Sequence, residues 1–295
     1  FNQNLSGWCV TNISSEPSAF SLESALTNAN KPVWGTCPHF VSTWELTSSD
    51  LTFELPLKDY ANITIDWGDS STSTHTNQAF PTHTYSSSGT YTITIGVNDA
   101  AKDIGEMYLS GHASRTLIRT ITNWGEGKWE TFNHAFIGAT NLTIPATDEP
   151  DLSLADNMVN AFHSCTSLVG TTFNDWNVST ITNMNGTFKN ATVFNGDISL
   201  WNTSSVTNMH SMFKNAIAFN QNISTSGISW DVSNVTNMGS MFCACDTWPT
   251  LSAFNGSVSG WNTAAVTDMS FMFGHSSFNK AINTSGDVWN TAAVT

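Results

Sequence analysis

Hydrophobic and polar positions recur along the C-terminal part of the chain with a period of about 25 residues, a length typical of solenoid repeats. The clearest copy begins at Trp176 and reads WNVSTITNMNGTFKNATVFNGDISL. Further copies begin at Trp201, Trp230, Trp261 and Trp289, and the steps after Trp201 are longer because they contain loop insertions. The pattern predicts a solenoid in which each repeat forms one coil. We therefore predict a repeat array over residues 115–295, truncated at its C-terminal end.

Equivalent apolar positions of the repeats predict columns of stacked side chains, because one coil cannot bury its own apolar residues. The columns contain β-branched residues (Ile181, Val206, Val235, Val266), methionines (Met184, Met209, Met238, Met269), two rows of phenylalanines (Phe188, Phe213, Phe242, Phe273 and Phe194, Phe219, Phe254, Phe278) and the five tryptophans. Such regular recurrence favours core packing over a platform for bases or sugars. Of these columns, the tryptophans are the best candidates for partial exposure and hence for glycan contact.

Within each repeat, the pattern predicts two local elements. The Val-Thr-Asn-Met segment has the composition of a strand, so we place the ladder that joins the coils there. The next segment, Met-Phe-Lys-Asn-Ala, carries apolar residues three or four apart, which predicts a short helical turn. Asn183, Asn208 and Asn237, with Asp268 in the last full copy, should form an internal ladder that satisfies backbone groups. A row of ligand-binding asparagines is the alternative.

The first part of the chain follows other patterns. Residues 41–114 contain short runs with a period of two, such as ITIDW from residue 63, separated by turns that contain glycine. These runs predict a small antiparallel β-sandwich. Residues 1–8 repeat the end of a coil, and residues 1–40 are predicted to be the end and C-terminal cap of a preceding array. The predicted fold class is mainly β: a leucine-rich-repeat-like solenoid with short helical turns, plus the sandwich.

The five cysteines fall into three groups. Cys9 and Cys37 flank a short segment that contains prolines, and we interpret them as a disulfide clamp of the cap. Cys165 and Cys245 lie in a column otherwise occupied by alanine and serine, where a small buried residue suffices. Cys243 is a free thiol, a strained partner of Cys245 or a link to another chain. The cysteine spacings match no zinc site.

The composition and net charge of the chain argue against some classes of binding partner. Charged residues make up 11% of the chain, against about 25% in an average soluble protein. Nine Lys and Arg against 23 Asp and Glu give a net charge of −14. Nucleic acid and anionic membranes are therefore disfavoured as partners, because phosphate binding needs clustered basic residues. No stretch approaches the roughly 20 apolar residues of a membrane span. A polar but weakly ionic surface is typical of extracellular proteins.

Asn-x-Ser/Thr sequons are abundant, and each is a candidate for an N-linked glycan. The candidates are Asn4, Asn12, Asn62, Asn141, Asn177, Asn185, Asn190, Asn202, Asn222, Asn234, Asn255 and Asn283. A chain rich in Asn and Thr produces some sequons by chance. Together with the predicted disulfide, they favour an oxidising, secreted setting.

The sequence motifs predict neither an enzyme nor a required cofactor. Motifs of metalloproteases, nucleophile elbows and phosphate-binding loops are missing. Carboxylates cluster at positions 148, 149, 151 and 156, where a solvated or calcium-holding loop is favoured over a glycosidase pair. Asp66 and Asp69 are weaker calcium candidates, and stabilisation of a turn is the favoured role for them.

The repeat pattern Trp-Asn-Thr-Ser-x-Val-Thr-Asn-Met-x-x-Met-Phe, followed by Phe-Asn, resembles the BspA-like leucine-rich repeat surface proteins with mycoplasma-lipoprotein-type repeats. The stretch that begins DWGD at residue 66 and continues to HTY and GTYT resembles a polycystic-kidney-disease (PKD) type sandwich, although Ser70 stands where that family has glycine. These resemblances imply extracellular display, adhesion or scaffolding, and no catalytic residues. We predict a structural segment of a surface fibre or coat whose partners are copies of itself. The alternative is an adhesin that binds glycans or host surface proteins.

Overall fold

The computed structural model describes residues 2, 5, 10, 13–32, 34, 38–98, 101–224, 230–247, 249–282 and 289–294. The fold is mainly β. Helix in this part of the chain is limited to two short 3-10 segments, Asn28–Asn30 and Ala113–Thr116. Ten strands lie between residues 40 and 129: β1 Phe40–Leu46, β2 Thr52–Glu54, β3 Leu57–Lys58, β4 Asn62–Asp66, β5 Thr72–Thr76, β6 Thr82–Thr84, β7 Gly89–Val97, β8 Asp103–Met107, β9 Ile118–Asn123 and β10 Lys128–Trp129.

The largest sheet has five antiparallel strands in the order β5-β4-β7-β1-β9. Alternation along the strands sets its buried face: Ile63 and Ile65 of β4 and Ile93 and Ile95 of β7 are fully buried, while Thr64 between the first pair is half-exposed. Two smaller sheets have the orders β10-β8-β3 and β2-β6. The pairing is antiparallel throughout, except that β10 runs parallel to β8. The period-two pattern of the sequence therefore does correspond to antiparallel strands.

Strand β9 lies beyond residue 114 and connects the sheet to the repeats. It completes the five-stranded sheet, and its Thr120 also forms a parallel bridge with Thr143. Lys128 of β10 bridges in the same way to Asp151. One hydrophobic cluster runs without interruption from Phe40 to Met272. The sheets and the repeats therefore share a single dry interior.

The repeats stack directly on one another. Parallel bridges join Asn157, Asn183, Asn208, Asn237 and Asp268 in sequence. The rings of the first phenylalanine column lie 5.5–5.7 Å apart from centroid to centroid and within 9° of parallel, in the order Phe136, Phe162, Phe188, Phe213, Phe242 and Phe273. The predicted columns of stacked apolar side chains are thus confirmed. In the last full repeat Val266 is still buried, whereas Met269, Phe273 and Phe278 are only partly buried.

The predicted short helical turn is wrong. The segment after each ladder residue forms consecutive turns, because the third residue after the ladder has a positive φ: Asn160 (52°), Gly186 (64°), Ser211 (55°), Ser240 (56°) and Phe271 (52°). A residue in the left-handed region interrupts a right-handed helix. We call the eight residues that follow each ladder residue the turn segment, for example residues 184–191.

Candidate functional site

The ladder residues satisfy the backbone in two directions. The Asn183 side-chain Oδ1 accepts the N–H of Asn185 at 3.0 Å, and its carbonyl accepts the N–H of Met158 in the preceding repeat at 2.9 Å. Asn208 does the same for His210 and Met184. The prediction of an internal ladder is therefore confirmed. The oxygens that a ligand would need are already engaged within the array.

Two further asparagine columns were missed from the sequence. The residue after each tryptophan closes a turn by accepting the N–H two residues on, as in Asn202 to Ser204 (3.1 Å). The asparagine after the second phenylalanine joins neighbouring repeats, because Asn195 Oδ1 accepts the N–H of Asn220 at 2.9 Å. The signal was available, since Trp-Asn and Phe-Asn pairs recur in most repeats.

Four of the five tryptophans of the column are buried, which contradicts the expected partial exposure for them, whereas Trp289 is partly exposed. Trp176, Trp201, Trp230 and Trp261 are at most 2% exposed. The indole N–H of Trp201 donates to the Phe173 carbonyl of the preceding repeat at 2.7 Å, and later tryptophans make the equivalent bond. A buried indole needs such a partner. These rings are therefore structural links between coils.

The turn segments give the array a direction. Alternate amides of one segment donate to carbonyls of the next repeat, as Met184 does to Asn208 (2.9 Å) and Phe188 to Met212 (2.9 Å). The amides between them close turns within the segment, as Lys189 does to Gly186 (3.0 Å). Left-handed residues four positions apart, such as Gly186 and Asn190, keep every second N–H of the segment directed at the next repeat. Every segment thus presents donors towards the C-terminal side and acceptors towards the N-terminal side.

The last full repeat exposes an apolar surface with donors along its edge. The amides of Met269, Phe271 and Phe273 have no hydrogen-bond acceptor among the described residues, and Phe271 is 72% exposed. A cavity of about 450 Å³ opens beside them. Its lining includes Met269, Phe271, Met272, Phe273, Ile282 and Trp289, the first residue of the next repeat, which the sequence contains only as far as Thr295.

In the sheet region, the carboxylates of Asp66 and Asp69 hold a turn. Asp66 Oδ1 accepts the N–H of Gly68 at 2.9 Å, and Asp69 Oδ1 accepts the N–H of Ser71 at 3.0 Å. Asp69 Oδ2 lies 2.8 Å from His83 Nε2. Across the described residues, no group of three or more His, Cys, Asp or Glu side chains is arranged to hold a metal ion. The geometry therefore gives these two residues a role in the turn.

Two residues of this turn have a positive φ. Gly68 has φ +80°, and a Cβ there would lie 2.4 Å from the carbonyl oxygen of Thr92 on β7. Ser70, which replaces the glycine of the resembled sandwich family, has φ +73°. A non-glycine residue in this region is strained by about 1 kcal/mol. The Asp69–His83 contact and the stacking of His83 on Trp67 (4.9 Å, 12°) help to fix the strained turn.

The Asp69 contacts predict a pH-dependent contribution to stability. The hydrogen bonds from Ser71 and His83 lower the pKa of Asp69 from 3.8 to about 2. A lowered folded-state pKa stabilises the fold above the unfolded value, and this stabilisation is lost as the pH falls from about 4 towards 2. Asp69→Asn should lower the free energy of unfolding by about 1 kcal/mol at pH 6. The loss should shrink towards pH 2.

Urea unfolding of both proteins at pH 6, 4 and 2.5, followed by tryptophan fluorescence, measures this effect. Asp156→Asn is the matched control, because the Asp156 side chain is exposed and makes no side-chain hydrogen bond within the described part of the chain. A deficit of Asp69→Asn that stays constant from pH 6 to pH 2.5 would contradict the assignment.

Two of the acidic residues near the start of the array, Asp148 and Asp151, accept hydrogen bonds from the backbone. Both Asp148 oxygens accept the backbone N–H of Trp124, at 2.9 and 3.1 Å, and one also accepts that of Gly125 at 2.9 Å. Asp151 Oδ1 accepts the N–H of Ser153 at 2.9 Å. These carboxylates bind backbone where the sheet meets the first repeats.

The glycosylation candidates differ in accessibility. Asn4, Asn12 and Asn283 lie outside the described residues, as do Cys9 and Cys37. The exposed candidates are Asn141, Asn177, Asn222 and Asn234, whereas Asn62, Asn185, Asn190, Asn202 and Asn255 are half-buried. The Nδ2 atoms of Asn141 and Asn234 donate to backbone carbonyls, and that of Asn190 lies 3.2 Å from His163 Nε2. In Asn177 and Asn222 the side-chain oxygen is the engaged atom: Asn177 Oδ1 accepts from Ser179, and Asn222 Oδ1 accepts from Ser257.

The three described cysteines are all packed in the array. Cys243 and Cys245 form a disulfide, with their Cα atoms 5.2 Å apart, which selects one of the three alternatives for Cys243. Cys165 is a buried free thiol whose Sγ contacts the Phe136 carbonyl at 3.1 Å. Burial raises the pKa of the Cys165 thiol well above its ordinary value. An un-ionised thiol of this kind is inert.

No helix among the described residues has the length and hydropathy needed to cross a bilayer.

Comparison with known proteins gives one match, and it falls on the repeats. No curated protein and no solved structure matches the chain. Residues 156–252 and 228–295 match the family model described as "Mycoplasma protein of unknown function, DUF285", which is in general terms the mycoplasma-type repeat family that the Trp-Asn and Val-Thr-Asn-Met pattern resembles.

Proposed function

We propose that the chain is a non-catalytic structural segment of an extracellular fibre or coat. The observation that carries the proposal is the continuous stack: each repeat is joined to the next by ladder bonds, turn-segment bonds and aromatic rings in contact. Such an array is quasi-one-dimensional, because each repeat contacts only its neighbours. A rod of this kind suits a load-bearing or spacing role.

In this proposal residues 115–295 are a leucine-rich-repeat-like solenoid, residues 41–114 a PKD-like sandwich and residues 1–40 the end and cap of a preceding array. The parallel bridges that recur once in every repeat support the first assignment. The antiparallel five-stranded sheet and the Trp67–Asp69 turn support the second. The DUF285 match over residues 156–295 is consistent with a surface protein built from such repeats.

The polar groups of the array also support a structural role. The asparagine columns, the indole N–H groups from Trp201 onwards and the turn-segment amides before the last full repeat are engaged within the array. Buried polar groups that are satisfied in this way rigidify a fold. The low content of charged residues and the exposed sequons fit an extracellular location. Copies of the chain, or neighbouring modules, are the proposed partners.

Electron microscopy of the native material tests the proposal. We expect filaments or an ordered coat, labelled along their length by an antibody raised against this chain. Dispersed monomers from the full-length protein, with no labelled assembly on the cell surface, would reject the fibre. Intact-mass measurement of the secreted protein would show in the same material whether the sequons carry glycans.

An adhesin that binds glycans or host surface proteins is the second candidate. With the tryptophans buried, the feature that favours it is the exposed row Thr182, Thr207, Thr236 and Thr267, which presents one polar side chain from each coil. Each hydroxyl in this row donates to a carbonyl of the preceding repeat, which holds the row in a regular spacing. A glycan array and a whole-cell binding assay test it, and no signal in either would remove it.

A further inference from the structure

The turn segment that contains the disulfide differs from its neighbours in its hydrogen bonds. In the segments that follow Asn157, Asn183, Asn208 and Asp268, the N–H of the eighth residue closes the last turn by donating to the carbonyl of the fifth. The pairs are Cys165 to Phe162, Ala191 to Phe188, Ala216 to Phe213 and Ser276 to Phe273, at 3.0–3.2 Å. In the segment that follows Asn237, the equivalent bond from Cys245 to Phe242 is missing from the described structure. The last turn of this segment is therefore open.

A backbone dihedral changes at the same place. The seventh residue of the other four segments is left-handed: Ser164 (62°), Asn190 (58°), Asn215 (58°) and His275 (51°). Ala244 is the seventh residue of the segment with the disulfide, and its φ is not positive. It is also the one residue that the disulfide between Cys243 and Cys245 encloses. The open turn and the altered dihedral are thus both centred on the disulfide.

The next repeat leaves room for the two sulfur atoms. Gly274 stands one repeat after Cys243, at a position occupied by His163, Lys189 and Lys214 in earlier repeats. A Cβ at Gly274 would lie 3.0 Å from Cys243 Sγ and 3.2 Å from Cys245 Sγ. The φ of Gly274 is not in the left-handed region, so its backbone does not require glycine. The missing side chain therefore matches the space that the disulfide occupies.

Cys165 shows how a cysteine with a free thiol packs at the eighth position. It is fully buried, its Sγ lies 3.1 Å from the Phe136 carbonyl of the preceding repeat, and its turn is closed. Cys245 occupies the same position with its sulfur oxidised, its turn open and its side chain partly exposed. The array thus contains one repeat position in two states, one reduced and closed, the other oxidised and open.

We propose that the Cys243–Cys245 disulfide is a redox-sensitive site that small thiols reduce in the folded protein, and that reduction closes the last turn of the segment. The thiolate of a small thiol attacks Sγ of Cys245, which is the more exposed cysteine. The S–S bond breaks, and Cys243 leaves as a thiolate that takes up a proton. A second small thiol then displaces the first from Cys245. The products are two cysteine thiols and one disulfide of the small thiol.

The energetics favour reduction without unfolding. A disulfide that encloses one residue removes little chain entropy from the unfolded state, so it contributes less to stability than a long-range bridge. The oxidised segment also lacks a backbone hydrogen bond that the reduced segment would gain. The other four segments stack without a cross-link, since none of them contains two cysteines. Cys245 can then pack inwards as Cys165 does.

Thiol trapping tests the reduction. The purified chain is incubated in native buffer with or without dithiothreitol and quenched in acid. The reductant is removed, free thiols are alkylated with N-ethylmaleimide in denaturant, and peptides are mapped by mass spectrometry. We expect Cys243 and Cys245 to be labelled only after dithiothreitol, whereas Cys165 is labelled in both samples and verifies the alkylation. Labelling of both cysteines without reductant, or no labelling after dithiothreitol while circular dichroism stays native, would overturn the proposal.

Hydrogen exchange tests the closure of the turn. Peptides that cover the Cys245 amide should exchange at least about fivefold more slowly after reduction, whereas peptides that cover Ala191 should not change. The double variant Cys243→Ala, Cys245→Ala should show the slow exchange with or without dithiothreitol. Cys165→Ala is the matched control and should respond to dithiothreitol as the wild type does. Exchange at Cys245 that is equal or faster after reduction would mean that the loop insertion after Cys245, and not the disulfide, opens the turn.

Discussion

Replacing Phe213 with alanine is expected to lower the free energy of unfolding by about 3–5 kcal/mol. Phe213 is 1% exposed and contacts three other rings: Phe188 at 5.7 Å, Phe242 at 5.6 Å and Phe219 at 3.9 Å between centroids. Alanine leaves a cavity that backbone ladders on both sides prevent from closing. Urea unfolding followed by far-UV circular dichroism measures the loss. Because coupling in an array is between neighbours, we also expect a broader transition.

Phe271→Ala is the matched control for this experiment. It removes the same type of side chain from another position of a turn segment. Because Phe271 is 72% exposed, the free energy of unfolding should fall by no more than about 0.5 kcal/mol. Equal losses for the two variants would mean that the stacked rings do not hold the repeats together, and the basis of the proposed rod would be lost.

The columns could be predicted from the sequence because recurrence is visible without knowing the backbone. Ile181, Met184 and Phe188 each return one repeat later, and one coil cannot bury them alone. The alternation in Ile63 to Asp66 likewise predicted a strand. In both cases the pattern of side chains follows directly from which face of the chain is buried.

The turn segment could not be predicted in the same way. Some of its left-handed positions carry Asn or Gly, such as Asn160 and Gly186, but the equivalent Ser211, Ser240 and Phe271 do not indicate a positive φ, so no consistent signal recurs. Bonds to the next repeat compensate for the strain, and those partners lie a whole repeat away in sequence. A local pattern of apolar residues three or four apart is equally compatible with a helix, so the prediction of a helical turn was wrong for a non-local reason.

Contacts in the candidate site were also hard to predict from the sequence, because the partners are far apart along the chain. The burial of Trp230 depends on a carbonyl of Ile198, 32 residues earlier, and nothing in the Trp-Asp pair signals it. Hydrogen bonds to the backbone of a distant repeat are therefore hard to predict from the identities of the side chains.

Replacing Gly68 with alanine is expected to lower the free energy of unfolding by about 2–4 kcal/mol, from two causes that a second variant separates. Alanine at φ +80° strains the backbone, and its Cβ would lie 2.4 Å from Thr92 O on the central strand β7. Gly111 has a similar φ of +70° but no atom within 4 Å of the same position. Gly111→Ala should therefore show the strain alone, about 1 kcal/mol. Thermal and urea unfolding of both variants give the two losses of free energy. Their difference measures the cost of the clash between the new Cβ and Thr92 on β7. If both variants lose the same free energy, the turn that carries Asp69 is not held against the sheet, and the strained Ser70 would have no support from packing.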